Sequence, residues 1–154
     1  MVFCFTSCVN FWEAMRISKT FPKEYTGLDT IIKIDGYYYL DDSIGIGAPI
    51  LISNNRKIQF FAGRYLSHIE IQEELKHNKS SWTGSYILKG DTIKVQQVRA
   101  YDLTSYDIFS IHYLIMNDTT LKRIWHFCET CDKKKHDPIR NDIYKFYQYH
   151  IDIK

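Results

Sequence analysis

Two hairpin patterns, in which apolar and polar residues alternate on either side of a short turn, constrain the fold of this chain more than any other feature. In the clearer one, Gly90 and Asp91 can supply a two-residue turn with glycine at its first central position. Folding the chain there gives an inward face with these pairs: Leu88 with Ile93, Tyr86 with Val95, Gly84 with Gln97, and Trp82 with Arg99. The opposite face is polar, which predicts a strand pair with one buried side and one wet side.

Further strands follow from the same alternation. The first begins at Ile31, with one apolar face made of Ile32, Ile34, Gly36, Tyr38 and Leu40. A turn at Asn54 and Asn55 sets Leu51 opposite Ile58. A three-residue loop at 117–119 gives the next hairpin these pairs: Ile115 with Leu121, Tyr113 with Arg123, Ile111 with Trp125, and Phe109 with Phe127. The last strand is predicted at 143–153, whereas residues 66–77 fit a capped helix and a strand equally well.

Seven or eight successive strands joined by short turns predict an all-β domain at residues 28–154. We expect an antiparallel up-and-down barrel of about eight strands, with one possible short helix; a β-sandwich is the alternative. The 12 tyrosines and the 45% hydrophobic content agree with a chain that buries a sizeable core. A barrel of eight strands can enclose one small ligand.

Two short patterns resemble a known family. They are Asp35-Gly36-Tyr37-Tyr38, similar to the Gly-x-Trp signature of lipocalins, and Trp82-Thr83-Gly84-Ser85-Tyr86 running into the Gly90–Asp91 hairpin. The domain resembles the lipocalin-like lipoproteins of Gram-negative bacteria, which implies binding of a small hydrophobic molecule. In lipocalins the signature tryptophan packs against a late arginine and closes the barrel. The resemblance therefore implies a barrel-closing group of Gly36, Tyr38, Arg123 and Trp125, with Tyr38 in place of the tryptophan.

The first 27 residues differ from the rest and are predicted to be a truncated lipoprotein signal and a tether. Phe5-Thr6-Ser7-Cys8 resembles a bacterial lipobox, which implies that Cys8 carries the lipid and that Met1 lies inside a longer signal peptide. We therefore expect a periplasmic or cell-surface protein held at the membrane only by its lipid. The alternative is a cytoplasmic protein whose first strand buries its cysteines. No apolar stretch approaches the roughly 20 residues of a transmembrane helix.

The inward face of the central hairpin supplies the candidate ligand site. Polarity rises along it from Leu88 towards Arg99, which suits an amphipathic ligand. The predicted ligand-binding residues are Trp82, Gly84, Tyr86, Gln97 and Arg99. Two alternatives remain open: Trp82 and Arg99 stack at a solvated end, or the barrel is filled by its own aromatic side chains and serves as a non-catalytic module for protein interaction.

One cluster has the residue types of a metal or redox site, namely His126, Cys128, Cys131 and His136. Two cysteines spaced Cys-x-x-Cys with nearby imidazoles fit a zinc site, a redox pair or a local disulfide. In an exported protein the disulfide is favoured, so we predict a Cys128–Cys131 bond, no metal and no cofactor.

Charge and motifs argue against several other functions. The net charge is only +2, and the single basic run, Lys133 to Lys135, fits a solvated loop, so nucleic-acid binding is not predicted. No nucleophile–base pair, phosphate loop or paired carboxylates occur at usable spacing. We therefore expect a monomeric protein without enzymatic activity that binds a small hydrophobic molecule or another protein.

Overall fold

The computed structural model describes residues 27–40, 49–61, 66–76, 82–100, 106–131 and 142–148. Residues 1–26 of the predicted signal and tether, including Cys8, lie outside these ranges. Within them are a 3-10 turn at Leu28–Thr30 and one α-helix, α1, at His68–Lys76. The strands are β1 Gly36–Leu40, β2 Ile50–Ile52, β3 Lys57–Phe60, β4 Trp82–Lys89, β5 Thr92–Ala100, β6 Tyr106–Asn117, β7 Thr120–Cys128 and β8 Ile143–Gln148.

The eight strands form a closed barrel in which each strand lies antiparallel to the next, and β8 returns to pair with β1. The predicted all-β, up-and-down barrel with a short helix is therefore confirmed. Closure is extensive, because all five residues of β1 have partners on β8. The described pairing of β1 with β2 consists of Tyr38 opposite Ile50.

The chain segment that precedes β1 covers one end of the barrel. We call this end of the barrel the closed end. Leu28 and Ile32 of this segment are 0% and 2% exposed and pack into the barrel core. The backbone N–H of Lys33 donates to the carbonyl oxygen of Asp118 at 2.8 Å, which ties the segment to the β6–β7 turn. The predicted apolar face from Ile32 to Leu40 is thus inside, but the strand itself begins only at Gly36.

Helix α1 covers the outside of the barrel and resolves the ambiguity of residues 66–77 for its described part. Ser67 and Glu70 form the capping box: the Ser67 N–H and hydroxyl donate to Glu70 Oε2 at 2.7 and 2.8 Å. These hydrogen bonds lower the pKa of Glu70. The helix buries Ile71 in a second apolar cluster that also contains Tyr37, Phe61 and Leu66. Tyr37, on the face of β1 opposite to the predicted apolar face, is therefore 1% exposed.

The hairpin between β2 and β3 differs from the prediction by one residue. Ile52, rather than Leu51, lies opposite Ile58, and Leu51 pairs with Gln59. The turn is longer than the expected Asn54–Asn55 pair, and its left-handed residue is Arg56, with φ 63°. Since side chains alternate between faces, this slip places Ile52 in the core and Leu51 outside, against the helix-covered cluster.

Two register shifts modify the hairpin between β6 and β7. The predicted pairs Ile115–Leu121 and Tyr113–Arg123 are confirmed, but the loop is two residues long, since Asn117 pairs with Thr120. A second shift lies between His112 and Tyr113, so the predicted pairs Ile111–Trp125 and Phe109–Phe127 are wrong. Trp125 instead lies opposite His112 on the outer face, 38% exposed.

The described helix is not long or apolar enough to cross a membrane. The last strand begins at Ile143 as predicted, and its described part ends at Gln148. Residues 149–154, which the prediction included, lie outside the described ranges.

Candidate functional site

The end of the barrel opposite the closed end carries most of the predicted site residues, and we call it the disulfide end. Here Gly84, Gln97, Phe109 and Cys128 are consecutive partners across β4, β5, β6 and β7. All four lie on the inward face of the barrel. The predicted pairs of the central hairpin, from Leu88–Ile93 to Gly84–Gln97, are confirmed. Arg99 lies one inward position further along β5, opposite Asp107.

Polar and aromatic side chains form a continuous group at this end, which we call the Gln97 cluster: Gln97, Arg99, Phe109 and His126. Arg99 Nε donates to Gln97 Oε1 at 3.0 Å. The Arg99 guanidinium carbon lies 4.1 Å from the centre of the Phe109 ring, a cation–π distance. Phe109 in turn stacks on His126, with 5.4 Å between ring centres. The structure therefore joins two of the predicted site residues directly, Gln97 and Arg99.

The Gln97 side chain is fully buried, at 0% exposure, and its amide has a fixed orientation. Arg99 Nε carries a hydrogen and can only donate, so the Gln97 atom facing it must be the oxygen. The amide nitrogen Nε2 then faces away from Arg99 Nε, and within the part of the chain that the structure describes it has no hydrogen-bond partner. A buried donor without an acceptor costs about 1–3 kcal/mol.

Gly84 does not provide the open space that a ligand site at that position needs. A methyl group there would lie 3.2 Å from Ile58 Cγ2 and from Val95 Cγ1, and 2.8 Å from the Gln96 carbonyl oxygen. The two apolar side chains already fill the interior over Gly84. Gly84 therefore leaves no open space in the lumen at this position.

Tyr86 and Trp82 complete the predicted ligand site. Tyr86 is 0% exposed, and its hydroxyl donates to the carbonyl oxygen of Ser53 at 2.8 Å, in the turn at the closed end. It packs the core and points away from Arg99. Trp82 begins β4 opposite Phe60, but its side chain is outside the described part of the chain, so the predicted Trp82–Arg99 contact stays a prediction.

The barrel-closing residues lie in two different places. Tyr38 is at the closed end, where its hydroxyl donates to the carbonyl oxygens of Lys33 and Asp118 at 2.9 and 3.3 Å. Burial raises the pKa of Tyr38 well above its ordinary value. Its ring contacts Phe146 edge-on, 5.5 Å between centres, and Lys33 Nζ lies 5.9 Å from the centre of the same Phe146 ring.

Arg123 forms an ion pair with Asp142, just before β8. Its ladder partner is Tyr113, whose ring contacts Tyr144 edge-on. Complete burial raises the pKa of Tyr113 well above its ordinary value. Of the group that the lipocalin resemblance implies, Gly36 and Tyr38 lie together at the closed end. Trp125 does not belong there, because it faces outwards.

The structure joins Cys128 and Cys131 in a disulfide, with 5.6 Å between their Cα atoms. Within the described residues, the third group that lies with the two sulfurs is the Asp107 carboxylate, all three ligand atoms being within 4.8 Å of one another. His126 stacks on Phe109 instead, and His136 lies outside the described ranges. Sequence reasoning missed Asp107, although pairing Arg99 across to β6 would have indicated it.

No family model matches this chain, and neither the curated proteins nor the solved structures contain a match. The lipocalin resemblance therefore stays a prediction, and the site is interpreted from its geometry alone.

Proposed function

We propose that this protein is a non-catalytic binding protein for a small, mainly apolar molecule with an acidic or otherwise hydrogen-bond-accepting group, bound at the disulfide end. The observation that carries the proposal is the buried Gln97 Nε2, a donor for which the described residues supply no acceptor. Buried polar groups in folded proteins are almost always satisfied. An acceptor on a ligand would satisfy this one.

Arg99 supports an acidic group on that ligand. Its guanidinium is held in place by Gln97 Oε1 on one side and by the Phe109 ring on the other. A guanidinium keeps its charge at any physiological pH and offers several donors to a carboxylate. Gln97 Nε2 and the guanidinium are thus donors presented by neighbouring side chains of one strand.

The filled space over Gly84 limits how deep the ligand can reach. Ile58 and Val95 occupy the interior there, and Tyr86 lies below them. The apolar part of the ligand must therefore extend from Gln97 towards the disulfide end rather than towards the closed end. This favours a short ligand over a long-chain lipid.

The experiment is a binding titration, by calorimetry, of the full chain with octanoate and with octanol. We expect saturable binding of octanoate, weaker binding of octanol, and at least a tenfold loss of octanoate affinity in Gln97→Met and in Arg99→Leu. The matched control is Gln96→Met, which changes the neighbouring, outward-facing glutamine of the same strand. Absence of binding by the wild type, together with native mass spectra that contain no copurifying molecule, would contradict the proposal.

A second function is favoured by the dense interior. Tyr38, Tyr86 and Tyr113 are at most 1% exposed, and the space over Gly84 is occupied. A barrel filled in this way serves as a rigid scaffold for a protein partner on its outer surface. The octanoate titration separates the two functions, because a scaffold with a filled interior should show no saturable binding of octanoate.

Export with a lipid at Cys8 belongs to the same proposal. It is supported by the small residues Thr6 and Ser7 before Cys8 and by the Cys128–Cys131 disulfide, a bond typical of oxidising compartments. Mass spectrometry of protein purified from the native membrane should find an acylated N-terminus at Cys8. An intact Met1 on cytosolic protein would contradict export.

A further inference from the structure

The disulfide turn has a chemistry that ligand binding does not use. Cys128 is buried at 3% exposure, whereas Cys131 and Asp107 are half-buried at the barrel end. The two sulfurs and a carboxylate oxygen of Asp107 lie within 4.8 Å of one another. Thiolate and carboxylate together are ligands that Zn²⁺ accepts. While the sulfurs are bonded to each other, however, neither can act as a thiolate.

We propose that reduction of the Cys128–Cys131 bond turns this end of the barrel into a binding site for a thiophilic divalent cation such as Zn²⁺, with Asp107 as the third protein ligand. A dithiol reductant gives up two electrons and two protons, becomes a disulfide, and leaves two cysteine thiols. Binding of the cation then releases the two thiol protons to solvent and forms two metal–sulfur bonds.

Hydrogen bonds that do not depend on the sulfur–sulfur bond hold the turn in position. The N–H of Glu129 donates to the Ile108 carbonyl oxygen at 2.7 Å, and the N–H of Ile108 donates to Thr130 Oγ1 at 3.0 Å. Both tie the turn to the first residues of β6. Reduction therefore leaves the two thiols beside Asp107 instead of releasing them.

Two hydrogen bonds already orient the groups that would bind the cation. The Thr130 hydroxyl donates to Asp107 Oδ1 at 3.3 Å, which orients the carboxylate. The Cys131 N–H donates to Cys128 Sγ at 3.2 Å, a contact that stabilises a thiolate. Metal binding requires the two sulfurs to separate to about 3.8 Å, since zinc–sulfur bonds are about 2.3 Å long. A side-chain rotation achieves this at the existing Cα separation of 5.6 Å.

The charges also balance. Two thiolates and one carboxylate exceed the charge of a divalent cation by one negative unit. Arg99, opposite Asp107 in the β5–β6 ladder, supplies a positive charge on the neighbouring strand. Three protein ligands leave the fourth position of a tetrahedral site to water, so the affinity should be lower than that of a closed four-cysteine site.

The test uses Co²⁺, whose thiolate complexes absorb in the near ultraviolet, as a spectroscopic substitute for Zn²⁺. The full chain is reduced with a dithiol, desalted without oxygen and titrated. We expect one Co²⁺ per chain with a thiolate charge-transfer band, competition by Zn²⁺, and no band in the oxidised protein. Asp107→Asn should weaken binding by roughly tenfold or more, whereas Asp91→Asn, which changes an exposed carboxylate of the β4–β5 turn, should not.

Several results would overturn the proposal: reduced wild type that binds no Co²⁺, oxidised protein that binds it equally well, or Asp107→Asn that binds as tightly as the wild type. Cys131→Ser should lose most of the charge-transfer intensity. If that variant does not fold, as judged by far-ultraviolet circular dichroism, the comparison of Asp107→Asn with Asp91→Asn decides the question.

Discussion

The two ends of this barrel differ in how a fully buried interior side chain is hydrogen-bonded. At the closed end the Tyr38 hydroxyl has two carbonyl acceptors, and the chain before β1 fills the opening with Leu28 and Ile32. At the disulfide end Gln97 is equally buried, yet its amide nitrogen has no acceptor among the residues that the structure describes. The contrast teaches that equal burial of two interior side chains does not mean equal hydrogen bonding. It concerns the interior rather than the turns, since Asn54 Oδ1, in the β2–β3 turn at the closed end, is also buried without a donor among the described residues.

The largest expected effect tests how tightly the closed end is packed. A methyl group at Gly36 would collide with the carbonyl oxygen of Tyr147 and would lie 2.6 Å from the Phe146 ring. We expect Gly36→Ala to lower the free energy of unfolding by about 3 kcal/mol, measured by urea denaturation. Gly90→Ala is the matched control, because Gly90 has φ +60° but open space around it, and it should cost about 1 kcal/mol. Equal losses would show that the closed end can relax.

The second test removes the covalent link at the disulfide end. The bond closes a loop of only four residues, from Cys128 to Cys131, and loop-closure entropy assigns such a link about 2 kcal/mol. Reduction should lower the urea midpoint by a corresponding amount and leave the barrel folded. Cys128→Ala combined with Cys131→Ala serves as the comparison without thiols. Unfolding on reduction would mean that this end depends on its disulfide as the closed end depends on its packing.

A smaller effect is expected at Gln97. Gln97→Met removes the hydrogen bond from Arg99 but also removes the buried donor that has no acceptor, so the two contributions oppose each other. The free energy of unfolding of ligand-free protein should change by less than about 1 kcal/mol. A loss above about 2 kcal/mol would indicate that the amide is fully satisfied in solution, and the difference between the two ends would disappear.

The smallest effect is expected at His112, which lies on the outer face of the barrel. It is a reference for the comparison of the two ends, which concerns interior side chains. Burial, and then the neighbouring Lys94 charge, lower the pKa of His112 below its ordinary value of about 6.5. The His112 imidazole is therefore protonated more readily in the unfolded chain than in the folded one. As the pH falls below about 6.5, this difference should lower the free energy of unfolding, and the decrease should stop below the pKa of His112 in the folded protein. His112→Gln should flatten this dependence.

Nuclear magnetic resonance titration of the imidazole measures that pKa directly. Lys94→Gln should raise it, since Lys94 lies opposite His112 in the β5–β6 ladder. A His112 pKa at or above the ordinary value would contradict the assignment.

The sequence predicted the barrel and the central hairpin because both depend on local alternation. Gly90 determines its own turn, so the pairs from Leu88–Ile93 to Gly84–Gln97 are correct. The predicted register of the β6–β7 hairpin is wrong beyond a bulge. The shift between His112 and Tyr113 places Trp125 on the outer face, and the alternation of apolar and polar residues does not indicate this shift. The β2–β3 register is also wrong by one residue, because the turn is longer than predicted and includes the left-handed Arg56. Leu51 therefore pairs with Gln59 instead of Ile58.

The site was predictable only in part. Gln97 and Arg99 share a strand face, so their proximity follows from alternation. Asp107 reaches the cysteines through the β6–β7 pairing, whose register includes the shift that the sequence does not indicate. The tight packing over Gly84 depends on Ile58 from β3. Such contacts need the complete barrel, which short-range patterns do not describe.

The pairing of β1 with β8 has a consequence for the order of folding. The first strand has five partners on the last strand but only Tyr38 opposite Ile50 in the described ladder with the second. During synthesis β1 must therefore wait for more than a hundred residues before its main partner leaves the ribosome. Contacts so distant in sequence fold slowly, and an unpaired strand edge invites association with other chains. We expect β1, with Leu28 and Ile32 before it, to dock last and to need protection until the C-terminal strand arrives.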